Sequence, residues 1–255
     1  MRLGIIIKGI NMNKSVAIAS VIIISIFFIS EPAFAGPGGK IVKAAFETFW
    51  GRVALGVLTV FFLPLITYTL WHEKIAERRA RKDLRFMASH SSQFDWLKIQ
   101  ERVKDCFFRV HSGWEDEDLS SVREWMTDWY WQNQQAAHLD RWKKEGLKNI
   151  CNVKKIKKIR PLLFVHRNQG NEHEDSMIVI SVEAKMQDYL KNVKTGKVVE
   201  GSKRYKRVET IWSLTIDKGM WKVSNIEEEI MSLDYAKLRK ELPKIETTVV
   251  SDLRA

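Results

Sequence analysis

Residues 51–71 read GRVALGVLTVFFLPLITYTLW, and no charged side chain follows Arg52 within this stretch. A helix formed by the 19 residues from Val53 to Trp71 is about 28 Å long, close to the thickness of a bilayer's hydrocarbon core. Tyr68 and Trp71 stand where interfacial aromatic residues belong. The stretch predicts a transmembrane helix over 53–71. A buried core helix of a soluble domain is the alternative.

The N-terminal segment has the pattern of an export signal. It contains early lysines, an apolar core over 16–29, and Ala33-Phe34-Ala35, which matches a cleavage site. Residues 1–35 are therefore predicted to be a signal peptide, and 36–52 a short translocated segment. An uncleaved first membrane helix is the alternative, and both versions give the following span the same orientation.

Basic residues are concentrated on the C-terminal side of the predicted span. Residues 72–93 carry six of them and residues 36–52 carry three. By the positive-inside rule, this favours a C-terminal domain on the cytoplasmic side of a bacterial inner membrane. Residues 72–93 are predicted to form a basic juxtamembrane helix and linker; a solvated charged linker is the alternative. The residues predicted to contact anionic lipid headgroups are Lys74, Arg78, Arg79, Arg81, Lys82 and Arg85.

The net charge of +11 is unevenly distributed along the chain. Residues 1–87 hold 12 Lys or Arg against 5 Asp or Glu, which gives +7, and the remainder contributes +4. Most of the basic charge therefore flanks the membrane segments, which indicates contact with lipid rather than nucleic acid, apart from a possible ribosome contact. The two cysteines, Cys106 and Cys151, have no metal-ligand spacing and form at most one disulfide.

A folded domain is predicted over 94–242, followed by a tail over 243–255. The first helix of this domain has apolar residues at spacings of three and four, and Gly113 is expected to end it. Residues 119–129 have a second apolar stripe and predict another helix, and residues 136–145 predict a third, capped by Gly146. The apolar residues of the first stripe are Trp96, Ile99, Val103, Phe107, Val110 and Trp114.

Strand patterns follow the helices. Residues 177–189 are rich in β-branched residues, and residues 208–216 alternate between polar and apolar side chains. Asp217-Lys218-Gly219 then predicts a turn into a returning strand over 220–226, and a short helix is expected near 232–242. The order indicates an α+β domain with helices on one face of an antiparallel sheet of about four strands.

Two segments of this domain carry a family resemblance. Residues 94–130, FDWLKIQERVKDCFFRVHSGWEDEDLSSVREWMTDWY, and 208–228, VETIWSLTIDKGMWKVSNIEE, resemble the C-terminal domain of the Tim44 family. Its namesake is the scaffold subunit of the mitochondrial protein-import motor, and membrane-anchored bacterial relatives are more similar still. The resemblance implies a cone of the nuclear-transport-factor-two type around an apolar pocket, and a non-catalytic binding role. The chain lacks the namesake's long chaperone-recruiting region, so that role is not implied.

Acid/base chemistry is the main catalytic alternative. The same cone fold hosts isomerases, so Asp188, Tyr189 and His166 are candidate acid/base groups, although two of these more simply end a strand. His173 lies in an acidic turn without a second histidine at ligand spacing, so no metal site is predicted. Phosphate-loop and nucleophile-elbow motifs are absent from the sequence. We therefore expect no enzyme activity and no cofactor.

Two basic clusters on predicted strands suggest one positive face. Such a face suits anionic lipid, ribosomal RNA or an acidic protein surface. Two independent solvated strand edges are the alternative, because lysines often protect sheet edges. The residues predicted to bind a partner are Lys154, Lys155, Lys157, Lys158, Arg160, Lys203, Arg204, Lys206 and Arg207.

Three functions remain open at this point. The first is a membrane-anchored scaffold that holds a protein partner or an apolar ligand, linked to protein translocation or membrane-protein assembly. The second is an inner-membrane assembly subunit of a secretion system, which predicts a periplasmic domain. The third is a pocket enzyme of the isomerase type.

Overall fold

The computed structural model describes residues 48–167 and 173–250. The chain divides into two compact units, one ending at Leu70 and one beginning at Trp71. The predicted signal peptide, its cleavage site and most of the segment 36–52 lie outside the described residues.

Helix α1, Phe49–Ala88, contains the predicted span and continues through Pro64. Within the described ranges it is the one helix long and apolar enough to cross a membrane. Large apolar side chains of the first unit, such as Phe61 and Leu65, are exposed. Exposed apolar side chains over this length are what a lipid-facing helix requires.

The part of α1 that belongs to the second unit packs into the folded domain. Ala76, Ala80, Leu84 and Met87 are buried at spacings of four, four and three, so these residues form an apolar stripe although half of the residues in this part of the helix are charged. Ala80, Leu84 and Met87 join the main core cluster. The core therefore includes residues upstream of Phe94.

Helix α2, Trp96–Glu115, confirms the first predicted stripe. Asp95 caps its N-terminus by accepting a hydrogen bond from the Leu97 amide at 2.7 Å. The prediction that Gly113 ends the helix is wrong, because the helix continues past it. A Cβ at position 113 would lie 2.6 Å from Val122 Cγ2, so glycine allows the following segment to pack closely there.

The predicted second helix over 119–129 is also wrong. Residues Ser120–Trp125 form a 3-10 turn, and Met126 is extended and pairs with Val223 of the sheet. Helix α3 begins only at Asp128 and ends at Gln134, and a π-helical turn, Gln135–Leu139, leads into α4, Asp140–Lys144. Gly146 follows α4 with a φ of 68°, as predicted for its C-terminal cap.

The sheet has four antiparallel strands in the order β1-β2-β3-β4. The α+β prediction is therefore confirmed. The predicted turn after Ile216 is present. Asp217 pairs with Met220, so the turn itself has two residues, Lys218 and Gly219, and both have positive φ. The strands are β1 Leu147–Val165, β2 Met177–Asn192, β3 Val198–Asp217 and β4 Met220–Glu228.

The two faces of the sheet have different coverings. The inner face carries Val182, Ala184 and Trp212 and packs in the main core, where the Trp212 and Phe107 rings lie 5.0 Å apart. The outer face has a smaller apolar cluster around Val179 and Ile211. Helix α5, Ser232–Leu238, supplies Tyr235 to that cluster, and α6, Ile245–Val250, follows it.

Candidate functional site

Three strands of the sheet extend beyond the fourth. Strand β4 pairs only with Thr210–Asp217 of β3, whereas β2 pairs with β3 as far as Val198. The extension is formed by residues 147–158, 185–192 and 198–208. Its inner face includes the partly buried Val153 and Ile156, which pack against the core. Its outer face carries a group of basic side chains.

The strand register aligns cations across this outer face. Lys185 of β2 pairs with Lys155 on one side and with Arg207 on the other. Paired residues on neighbouring strands point to the same face, and the strands lie about 4.8 Å apart. Lys155 and Arg207 are exposed, and Lys185 is half-buried. Three basic side chains therefore form one row.

A bulge adds further residues beside this row. Between Met186 and Asp188, β2 has the single residue Gln187, while β3 has Lys203, Arg204 and Tyr205. The Gln187 side chain donates a hydrogen bond to the Lys203 carbonyl and so fixes the bulge.

Strand β1 contributes to the same surface across the bulge. The Lys154 ammonium lies 5.8 Å from the Tyr205 ring centroid, within the range of a cation–π contact. We call this area the basic outer surface and define it by Lys154, Lys155, Lys158, Lys185, Tyr205 and Arg207.

The next row of the sheet contains a carboxylate, Glu183, but this carboxylate does not neutralise the surface. Glu183 pairs in register with Lys158 and accepts a hydrogen bond from Arg207 at 2.6 Å. The Arg207 side chain nevertheless remains 73% exposed. Among the described residues, no carboxylate forms an ion pair with Lys154, Lys155, Lys158 or Lys185.

Arg160, predicted to bind a partner, forms internal contacts instead. It forms ion pairs with Glu73 of α1 at 3.2 Å and with Glu209 of β3. Ser232 donates a hydrogen bond to Glu73 at 2.6 Å. Burial disfavours the charge of Arg160, but Glu209 and Glu73 outweigh it and raise the pKa of the guanidinium. Arg160 therefore links α1 to the sheet.

The six juxtamembrane basic residues divide into two groups. The side chains of Arg79 and Arg81 bind other residues of the domain. Arg79 donates to the carbonyls of Leu242 and Pro243 at 3.1 and 3.0 Å, and Arg81 pairs with Glu77 at 3.0 Å. The others form one exposed stripe at spacings of four, four and three: Lys74, Arg78, Lys82 and Arg85. This stripe remains the part of the predicted headgroup contact that faces solvent.

The candidate acid/base groups do not share a site. Asp188 is exposed and pairs with Cys151 near the start of β1, whereas His166 is buried just after the end of that strand. Fifteen residues of extended chain separate positions 151 and 166, which is about 45–50 Å along the strand. A hydrogen-bonded acid/base pair of Asp188 with His166 is therefore excluded.

Sequence reasoning missed Lys185, the central residue of the basic row. The signal was present in β2, where Ser181, Glu183, Lys185 and Gln187 alternate with apolar residues. That alternation places all four on one face.

Comparisons with known proteins support a family assignment. The model of the Tim44-like domain matches residues 80–228. No curated protein matches the chain. Among solved structures, the intermembrane space region of the chloroplast protein ARC6 matches with a TM-score of 0.35 and 8% identity, over 49% of this chain and 92% of that chain. At that TM-score the match carries no weight for fold or function.

Proposed function

Because this chain belongs to the Tim44-like domain family, we propose that it is a non-catalytic scaffold of a bacterial inner membrane, where it holds a protein partner with an acidic surface. The family indicates a membrane-associated binding module, and helix α1 is consistent with a single-pass anchor. The proposed process is protein translocation or membrane-protein assembly, by analogy with the import-motor scaffold after which the family is named.

The basic outer surface is the observation that carries this proposal. It presents a row of cations across three strands, and its lysines have no carboxylate partners among the described residues. Long-range attraction between such a surface and an acidic partner accelerates encounter and weakens as salt is added. Tyr205 is 40% exposed within this surface and offers an aromatic contact of the kind enriched at interfaces.

The proposed topology has the span over 53–71 and the domain in the cytoplasm. The six basic residues downstream of the span support this orientation. A reporter fused after Ala255 that is active only in the cytoplasm is the expected result. A reporter active only in the periplasm would reverse the orientation and favour the secretion-subunit alternative.

Partner capture in intact membranes tests the surface. The variant K154E/K155E/K158E/K185E reverses four cations of the basic outer surface. The matched control K98E/K104E/K240E/K244E makes the same charge change at exposed lysines without ion pairs among the described residues. Photo-crosslinking from position 205, followed by mass spectrometry, identifies what is captured.

We expect one protein to be captured by the wild type and the control, and lost from the surface variant. Four reversed charges are expected to weaken binding by at least about tenfold at low salt, with a smaller effect at high salt. Equal capture by all three chains would refute a partner on this surface. Capture of lipid alone would refute a protein partner.

A further inference from the structure

The hairpin that joins β2 and β3 exposes apolar side chains at its tip. Val193 and Val199 are 59% and 58% exposed, and Val198 is 38% exposed. The tip belongs to the part of the sheet that extends beyond β4. We call residues 191–199 the β2–β3 tip. Three exposed valines within seven residues form a small apolar end on an otherwise charged extension.

Lysines surround these valines. Lys194 and Lys197 are exposed in the turn itself, and Lys191 is half-buried just before it. Glu200 is the acidic residue that directly follows the tip. An apolar end with cations around it matches the chemistry of a membrane interface, where apolar groups enter the acyl boundary and lysines stay among the phosphates.

The backbone of the tip is already hydrogen-bonded within the domain. The Asn192 amide donates to the Lys197 carbonyl, and the Gly196 amide to the Asn192 carbonyl, both at 2.9 Å. The Thr195 amide donates to Asn192 Oδ1 at 2.9 Å, and the Val193 amide to the Gly146 carbonyl at 2.9 Å. Peptide groups paired in this way avoid most of the cost of leaving water.

The other hairpin of the sheet provides an internal contrast. Its turn is tied to neighbouring segments, because the Lys218 amide donates to Glu174 at 2.7 Å and Gln93 donates to the Gly219 carbonyl at 2.7 Å. Lys218 also forms an ion pair with Asp128 at 3.8 Å. Among the described residues, the hydrogen bonds of the β2–β3 tip outside the strand ladder stay within the turn and reach only Gly146. The tip is therefore open to an external surface.

We propose that the β2–β3 tip docks into the headgroup region of an anionic bilayer, with Val193 and Val199 in the acyl boundary and Lys194 and Lys197 at the phosphates. The contact would fix the orientation of the domain at the membrane surface. It rests on the membrane anchor of the proposed function and is independent of the protein partner.

A fluorescent probe at the tip tests this contact in the full chain. The variant Val199→Cys is labelled with an environment-sensitive thiol dye and reconstituted in nanodiscs that contain lipids brominated near the carbonyl end. Cys106 and Cys151 are buried, and burial raises the pKa of the Cys106 thiol to about 12, so neither native thiol competes for the dye. Met220→Cys, at the 48% exposed tip residue of the other hairpin, is the positional control.

We expect quenching at position 199 in nanodiscs containing phosphatidylglycerol, weaker quenching in pure phosphatidylcholine, and little at position 220. Adding K194E/K197E should lower the ratio of membrane-docked to undocked tips by roughly fivefold for each lysine, because one lysine near an anionic surface contributes about 1 kcal/mol. Adding K98E/K104E, the same charge change on α2, should leave the signal unchanged.

Two results would overturn the proposal: equal quenching at positions 199 and 220, or equal effects of the two lysine pairs. Whether each variant stays in the nanodisc fraction is measured separately, and it shows whether the membrane anchor in α1 is intact. Loss of the tip signal with intact partner capture therefore refutes docking alone.

Discussion

Replacing Arg160 with methionine leaves two carboxylates inside the domain without their shared cation. The side chains of Arg160, Glu73 and Glu209 are only 15%, 9% and 12% exposed. The substitution approximately conserves length and packing while it removes the guanidinium. The remaining carboxylates keep hydrogen bonds from Ser232 and Ser181, which limits the damage.

The expected loss is about 3 kcal/mol in the free energy of unfolding. Removing one partner of a buried ion pair typically costs about 3–5 kcal/mol, and the two serine hydroxyls place this case at the low end. At a urea slope of about 2 kcal/mol/M, the unfolding midpoint should fall by roughly 1.5 M.

Urea unfolding of the full chain in detergent, followed by tryptophan fluorescence, measures this loss. Lys158→Met, an exposed lysine on the same strand, is the control and should change stability by less than about 0.5 kcal/mol. The triple variant E73Q/R160M/E209Q should recover most of the loss, since no buried charge remains. A stability of R160M equal to that of the control would refute the role assigned to this ion network.

Three further predictions concern the core. Gly113→Ala should destabilise the domain by about 1–3 kcal/mol, because its Cβ would meet Val122 at 2.6 Å; an unchanged urea midpoint would contradict that close approach. Burial lowers the pKa of His111 to about 4, so stability present above pH 6.5 should fall as the pH drops towards 4, by about 1 kcal/mol for this partly exposed residue; a His111→Gln variant with an unaltered pH profile would count against it. Cys106 and Cys151 should react with a thiol reagent only on unfolding, and rapid reaction in the native state would show that they are accessible.

Local sequence patterns predicted the elements whose signals lie within a short stretch of sequence. The stripe of α2 and the alternating β3–β4 pair were both recognisable, because periodicity and a short turn determine them. The stretch 119–129 has an equally good helical stripe, but Met126 pairs with Val223, almost one hundred residues away. A partner at that distance cannot be read from a local pattern.

The basic outer surface was partly predictable for the same reason. The clusters on β1 and β3 were visible as runs of lysine and arginine, but their alignment depends on β2, which brings Lys185 between them. Arg160 stands in the same run yet belongs to an internal network with residues 87 and 49 positions away. Composition identifies cations, whereas only the register shows which of them remain available to a partner.

The contacts of Arg79 have a consequence for the order of events during synthesis. Its guanidinium reaches carbonyls about 160 residues further along the chain, at Arg239 and beyond. At about 5–20 residues per second, the ribosome needs roughly 8–32 s to make that distance. Throughout this interval, Arg79 has none of these carbonyls to donate to. The contacts of Arg79 with Arg239, Leu242 and Pro243 therefore form late, after all four strands of the sheet have been made.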